Sequence, residues 1–174
     1  MNAINHLRRI SPLAIVLVAL AAVLALSPTA HAQSTQTVML HPAGLDPSLA
    51  ATARTDGTVG FAKTNKNDFR QRWQREKISV SPAKFRFVSA VSNQCMRVPT
   101  GLPVGASNSV VLGSCSGPNA QWTQSGPRYI AGTGHYMASG FCLGIPGCVE
   151  RIDAMQPDVL PFLEPVTRWG LTIL

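Results

Sequence analysis

The stretch CMRVPTGLPVGASNSVVLGSCSGPNAQW, residues 95–122, holds two cysteines, a Pro/Gly-punctuated loop, a short apolar strand and a closing tryptophan. It is either a loop stapled by a disulfide or one copy of a repeating unit, and the tryptophans decide between the two. The chain has three of them, Trp73, Trp122 and Trp169, spaced by 49 and 47 residues. Cys95 to Trp122 and Cys142 to Trp169 are both intervals of 27. This spacing predicts units in register with a period of about 47 residues, in the range that marks repeat architectures.

The contexts agree. KFRFVSAVSNQ ahead of Cys95 is an alternating apolar strand with a polar turn, and RYIAGTGHYMASGF ahead of Cys142 is strand, Gly-rich turn and return strand. The tryptophans are introduced as QRW, AQW and TRW. A first unit ending at Trp73 carries no cysteine, but GTVGFAKTNKNDFRQRW repeats the order turn, strand, loop, tryptophan seen in NSVVLGSCSGPNAQW. Units of this size cannot bury a core alone and must pack together. No long run after residue 32 has helical apolar spacing, the nearest, Asp68 to Lys77, being highly charged. The fold class is therefore all-β, and three-fold repetition suggests closure into a barrel with few open edges.

Residues 1–32 read as a secretory signal peptide: a basic start with His6, Arg8 and Arg9, an apolar run from Leu13 to Leu26, and the small-residue site Ala30-His31-Ala32. The run is too short to span a bilayer as a helix. The Arg8-Arg9 pair is not followed by a full twin-arginine pattern, so general secretion is expected, with cleavage after Ala32 and a secreted or periplasmic product. Four cysteines in an exported chain favour disulfides over a metal site, with three connectivities open.

The formal charge is +7, and the excess is local: nine Lys/Arg against three acids lie between Arg54 and Arg86. Such a block suits an acidic partner, a membrane surface or nucleic acid, or is simply a solvated face. Export argues against nucleic acid. Enzyme motifs are missing: no H-E-x-x-H, C-x-x-C, G-x-S-x-G or phosphate-binding Gly-Lys loop occurs. His41 and His135 have no acid or thiol at a telling spacing, and Glu150, Asp153, Asp158 and Glu164 form no pair suited to acid–base work. No catalytic residue, cofactor or metal is expected.

With these residues in hand, the chain resembles the ricin-type β-trefoil family, whose repeats carry a Q-x-W signature. QRW at Gln71–Trp73 fits it fully, whereas AQW and TRW keep only the tryptophan. The resemblance implies that Trp73, Trp122 and Trp169 are core residues rather than sugar platforms. It also implies a sugar pocket in each repeat, made of an Asp two residues after the first cysteine, an aromatic two before the second, and an Asn three before the tryptophan. In the second unit those positions hold Arg97, Gly113 and Asn119, in the third Gly144 and Val166 replace the Asp and the Asn, and in the first Arg70 takes the Asn position. A rebuilt pocket would use Arg97, Asn119 and Gln121; the ordinary reading of an asparagine placed like Asn119 is a turn residue bonded to backbone. The family's within-repeat bridge implies Cys95 with Cys115, leaving Cys142 with Cys148 across CLGIPGC.

More narrowly, KFRFVSAVSNQCMRVPTG (84–101), HYMASGFCLGI (135–145) and TRWGLTIL (167–174) resemble the A and C subunits of cytolethal distending toxins, the ending favouring C. That resemblance implies a non-catalytic subunit binding a host cell-surface glycan or glycolipid, a nuclease subunit and a second trefoil subunit. The alternatives are a free-standing secreted lectin and, through TGLPVG (100–105), a trefoil protease inhibitor. The expected organisation is signal peptide 1–32, extended N-terminal tail 33–55 lying across a partner, and trefoil domain 56–174.

Overall fold

Alternation in KFRFVS turns Phe85 and Phe87 inward while Lys84 and Arg86 stay half-buried. The same period-2 pattern, interrupted by Gly and Pro turns, recurs along the chain and yields strands rather than helices. The computed structural model describes residues 34–43, 46–101, 108–140, 151–155 and 167–174. The segment read as a signal peptide, the inhibitor-like loop beyond Gly101, Cys142 and Cys148 lie outside the described residues.

Thirteen strands are described. The first unit holds β1 (Thr35–Pro42), β2 (Leu49–Ala53), β3 (Val59–Lys63) and β4 (Trp73–Ser79). The second holds β5 (Lys84–Ser89), β6 (Cys95–Arg97), β7 (Asn108–Ser109), β8 (Val111–Gly113) and β9 (Trp122–Ser125). The third holds β10 (Arg128–Ala131), β11 (Tyr136–Gly140), β12 (Arg151–Met155) and β13 (Trp169–Ile173).

The first and last strand of each unit build a barrel, in the order β13, β1, β4, β5, β9, β10. The Trp169 N–H donates to the Pro127 carbonyl at 2.8 Å, joining the last strand back to the start of the third unit. The inner hairpins, β2 with β3, β6 with β8 and β11 with β12, form a cap over one end. They meet through backbone bonds from Val59 N–H to Val110 O (3.1 Å) and from Val110 N–H to Ile152 O (2.6 Å). Val59, Val110 and Ile152, one from each unit, are fully buried.

The tryptophans give the three-fold pattern its clearest expression. Trp73, Trp122 and Trp169 start the last strand of their units, are buried, and share one core cluster. Each indole N–H donates to a carbonyl on its own unit's cap hairpin: Ala51 at 3.0 Å, Met96 at 3.0 Å and Met137 at 2.9 Å. A buried indole needs such a partner, and here it ties barrel to cap.

These bonds correct the repeat register. The separations are 22, 26 and 32 residues, so Met137, not a residue beside Cys142, corresponds to Met96. The equal intervals of 27 are therefore coincidental. The third unit carries its extra residues between β11 and Trp169, and Cys142 falls after β11 has ended.

A second correction concerns the expected tail. Residues 33–55 contain β1 and β2. Val38 to Leu40 are fully buried, β1 pairs antiparallel with both β4 and β13, and Gln33–Leu174 forms one compact unit. The barrel cannot close without β1, so the domain begins near residue 33 rather than 56.

The Q-x-W glutamine has a structural task. Gln71 sits in a short 3-10 turn (Phe69–Gln71), is 1% exposed, donates from Nε2 to Lys63 O at 2.9 Å and accepts from Asn65 N–H at 2.8 Å. It pins the β3–β4 loop under the cap. In the other units the position is taken by buried Ala120 and Thr167. Gln71→Ala leaves two backbone groups unpaired, and the expected loss is about 1–3 kcal/mol in urea unfolding.

At the barrel end away from the cap, Arg75 follows Trp73 by two positions and lies inside the mouth. Its Cζ sits 3.5 Å from the Phe85 ring centroid and its Nη2 donates to Gln124 Oε1 at 2.7 Å. Tyr129 packs edge-on to Phe87 beneath it, and burial pushes the phenol's pKa up while the nearby guanidinium pulls it down. Part of the basic block is thus structural. It is not one continuous surface.

Candidate functional site

In the second unit the Cys95–Cys115 disulfide forms as the family resemblance implies, with Cα atoms 4.9 Å apart. It brackets the hairpin carrying Arg97. Gly113 stands opposite Cys95 in the β6–β8 register, and the Arg97 side chain lies over it, so that a Cβ at Gly113 would meet Arg97 Cδ at 2.8 Å. The place where the family puts an aromatic ring is occupied by the arginine's own methylenes, while Nη1 reaches toward Ser114 O at 3.5 Å.

Asn119, in the turn Pro118–Ala120, donates from Nδ2 to Val98 O at 3.1 Å, and its own carbonyl accepts from Val98 N–H at 3.0 Å. Its amide nitrogen is engaged by backbone, the ordinary turn role. Gln121 is half-buried between that turn and Trp122. The structure therefore brings Arg97 and Asn119 onto one hairpin end, with Arg97 filling the space between β6 and β8.

A more open cavity lies at the first unit, where its cap hairpin faces the β5–β6 turn of the second. This cleft has a volume of about 410 Å³ and is walled by Ala53, Arg54, Arg70, Val91, Gln94 and Leu112, among others. Gly60 makes room for one wall, because a Cβ there would collide with the Arg54 guanidinium. Arg70 is held by Asp68, which accepts from its Nε at 3.0 Å and Nη2 at 2.8 Å and also caps the turn by accepting from Arg70 N–H. Beside it, Phe69 is 57% exposed, with Arg72 stacked 4.2 Å from its ring centroid. Arg72 in turn donates from Nε and Nη2 to Lys66 O, shaping the loop.

The side-chain hydrogen bonds from Arg70 hold the Asp68 carboxyl below the usual carboxylate range, against the smaller opposing effect of burial. A depressed folded-state pKa adds stability that is present above the unfolded value, near 3.9, and lost as pH falls through the folded one. The difference in melting temperature between the native chain and Asp68→Asn is expected to be constant above about pH 5 and to shrink below pH 4. Thermal scans across that range check it.

Both described histidines make structural bonds. Nδ1 of His41 donates to the Leu49 carbonyl at 2.9 Å, Nε2 is hydrogen-bonded with Thr172 Oγ1 at 3.1 Å, and the ring ties β1 to β2 and β13. His135 is nearly buried and bonds Thr133 Oγ1 at 3.1 Å within its turn. Among the described residues no group of three His, Cys, Asp or Glu side chains is placed to hold a metal.

The chain is similar to a designed three-fold symmetric protein, ThreeFoil, with a TM-score of 0.56 at 13% identity, over 79% of this chain and 99% of that one. The fold is a β-trefoil. The Vibrio vulnificus hemolysin/cytolysin β-trefoil lectin, solved with N-acetyl-D-lactosamine bound, is similar at a TM-score of 0.53 and 15% identity, over 80% of this trefoil and 96% of that chain. The Polyporus squamosus lectin, bound to a human-type influenza-binding epitope, gives a TM-score of 0.60 at 11% identity over 82% of this trefoil. This trefoil spans about half, 50%, of that lectin's length. No protein-family model and no curated protein matches the chain.

Sequence reasoning found the three tryptophans and one disulfide but missed the cleft. Its signals were present as Arg70 at the family's Asn position and as the small residue Gly60, yet only the fold brings Arg54, Arg70 and the turn at Val91 to Gln94 together.

Proposed function

We propose that this trefoil is a non-catalytic, carbohydrate-binding subunit of a secreted toxin of the cytolethal distending type, A or C. In this reading it attaches to host cell-surface glycans and carries a nuclease subunit alongside a second trefoil. The observation that supports carbohydrate binding is the division of labour within the fold. All three tryptophans and the Q-x-W glutamine are committed to the core, which leaves the hairpin ends and the clefts between them as recognition surfaces. Similar trefoils are named as lectins. The toxin assignment rests on the three segments 84–101, 135–145 and 167–174. Arg97, Asn119 and Gln121 are proposed as contacts at the second-unit face, with Arg97→Ala as the cleaner probe because it breaks no buried hydrogen bond.

One observation favours the second reading, a free-standing lectin: the segment expected to reach across a partner is built into the barrel as β1 and β2. Affinity isolation of the tagged protein from its native host, followed by mass spectrometry, separates the two. Co-purification of a stoichiometric nuclease and a second trefoil supports the toxin subunit, and recovery of the chain alone supports the lectin. Reproducible hydrolase turnover by the purified chain contradicts both.

A further inference from the structure

We propose that the cleft between the first and second units binds an acidic saccharide, a sugar bearing a carboxylate, with Arg70 as its anion-binding group. This inference rests on the carbohydrate-binding reading and assigns it a ligand class and a place.

Three observations carry it. First, among the described residues the lining includes Arg54 and Arg70 and no acidic residue, Asp56 beside Arg54 and Asp68 bonded to Arg70 being outside it. Second, Arg70 is oriented in advance. A guanidinium has five N–H donors in a fixed fork. Asp68 takes one edge, through Nε and Nη2, which leaves the end-on pair from Nη1 and Nη2 for a second carboxylate in bidentate geometry. Both Asp68 oxygens already accept hydrogen bonds from Arg70, so its charge is locally compensated rather than aimed into the cleft.

Third, the remaining walls suit a sugar ring rather than a bare ion. Ala53, Val91 and Leu112 supply apolar surface for a C–H face, Gln94 and Ser92 supply groups for hydroxyls, and Val91 is 51% exposed at the rim. The exposed Phe69 ring, fixed by Arg72, stands next to Arg70 in the chain as a second apolar contact for a longer glycan. Substituting Arg for the family's Asn thus exchanges a hydroxyl clamp for a carboxylate clamp.

The test titrates the purified protein with 3′-sialyllactose and with lactose, its neutral core, by calorimetry at low and moderate salt. Sialyllactose is expected to bind about tenfold or more tighter than lactose, with the preference weakening as salt rises. Arg70→Ala is expected to abolish that preference. Arg70→Lys, which keeps the charge without the fork, should recover it only in part. Melting curves establish that both variants are folded, and Gln94→Ala, which leaves the Asp68–Arg70 pair intact, gives an independent probe with a smaller expected loss. Equal binding of the two sugars, or a preference for sialyllactose that survives Arg70→Ala, overturns the proposal and leaves the broader carbohydrate reading standing. Binding of neither sugar also overturns it, and the broader reading is then decided by a survey of neutral glycans.

Discussion

Trp122→Ala is expected to destabilise the domain by about 3–5 kcal/mol, the cost of truncating a fully buried aromatic residue. Three losses coincide at this position. The indole leaves a cavity in the shared core, the Met96 carbonyl loses its donor, and the tie between β9 and the β6–β8 hairpin is cut. Typical domains hold only about 5–15 kcal/mol in total, so the variant is expected to be largely unfolded at physiological temperature. Trp122→Phe separates the terms. It keeps most of the apolar volume and removes the donor, for an expected cost of about 1–3 kcal/mol. The three-fold arrangement adds a sharper expectation: Trp73→Phe and Trp169→Phe should cost similar amounts, because each indole makes the equivalent bond to its own cap hairpin. Urea unfolding of the three variants checks this. One that unfolds no more readily than the native chain would remove its tryptophan from the common core.

Opening the Cys95–Cys115 disulfide is the second large effect. The bridge closes a loop over a sequence separation of 20, for which chain entropy gives about 3 kcal/mol of stabilisation. Cys95 is fully buried with Val88 and Ala120, so Cys95→Ala adds a packing loss that Cys115→Ala does not. The expected order of stability is native chain, then Cys115→Ala, then the double Cys95→Ala/Cys115→Ala variant. Thermal unfolding with and without reductant checks it: reductant should lower the native midpoint toward that of Cys115→Ala. A native chain indifferent to reductant would mean the bridge contributes nothing to stability.

The tryptophans were legible because their spacing is set by the barrel. Each marks the start of a unit's last strand, so the intervals of 49 and 47 reflect a structural repeat. The Cys95–Cys115 pair was legible through the family resemblance for a related reason, since it brackets one hairpin. The third unit's register was not. Its extra length lies between β11 and Trp169, and the coincidence at Cys142 concealed it.

The first strand was illegible for a different physical reason. Thr35–Pro42 gains its hydrogen bonds from β4 and from β13, the latter at the far end of the chain, and with the Pro- and Gly-rich residues after it the segment reads as an extended tail laid across a partner. Its strand character comes from tertiary pairing rather than local propensity. Charge misled in the same way. Arg75 counted toward a surface block, yet it stacks on Phe85 inside the barrel mouth, whereas Arg54 and Arg70, well separated in sequence, converge on one cleft. Composition gives the sign of a charge and only the fold gives its direction.

The most direct test of the central claim, that this trefoil recognises carbohydrate, is a glycan array probed with the folded, labelled chain and read against Arg70→Ala and Arg97→Ala. The account predicts saturable binding to a restricted set of glycans, competed by free sugar and weakened by at least one of the two substitutions. No binding to any glycan by a chain whose melting curve shows it folded would contradict it.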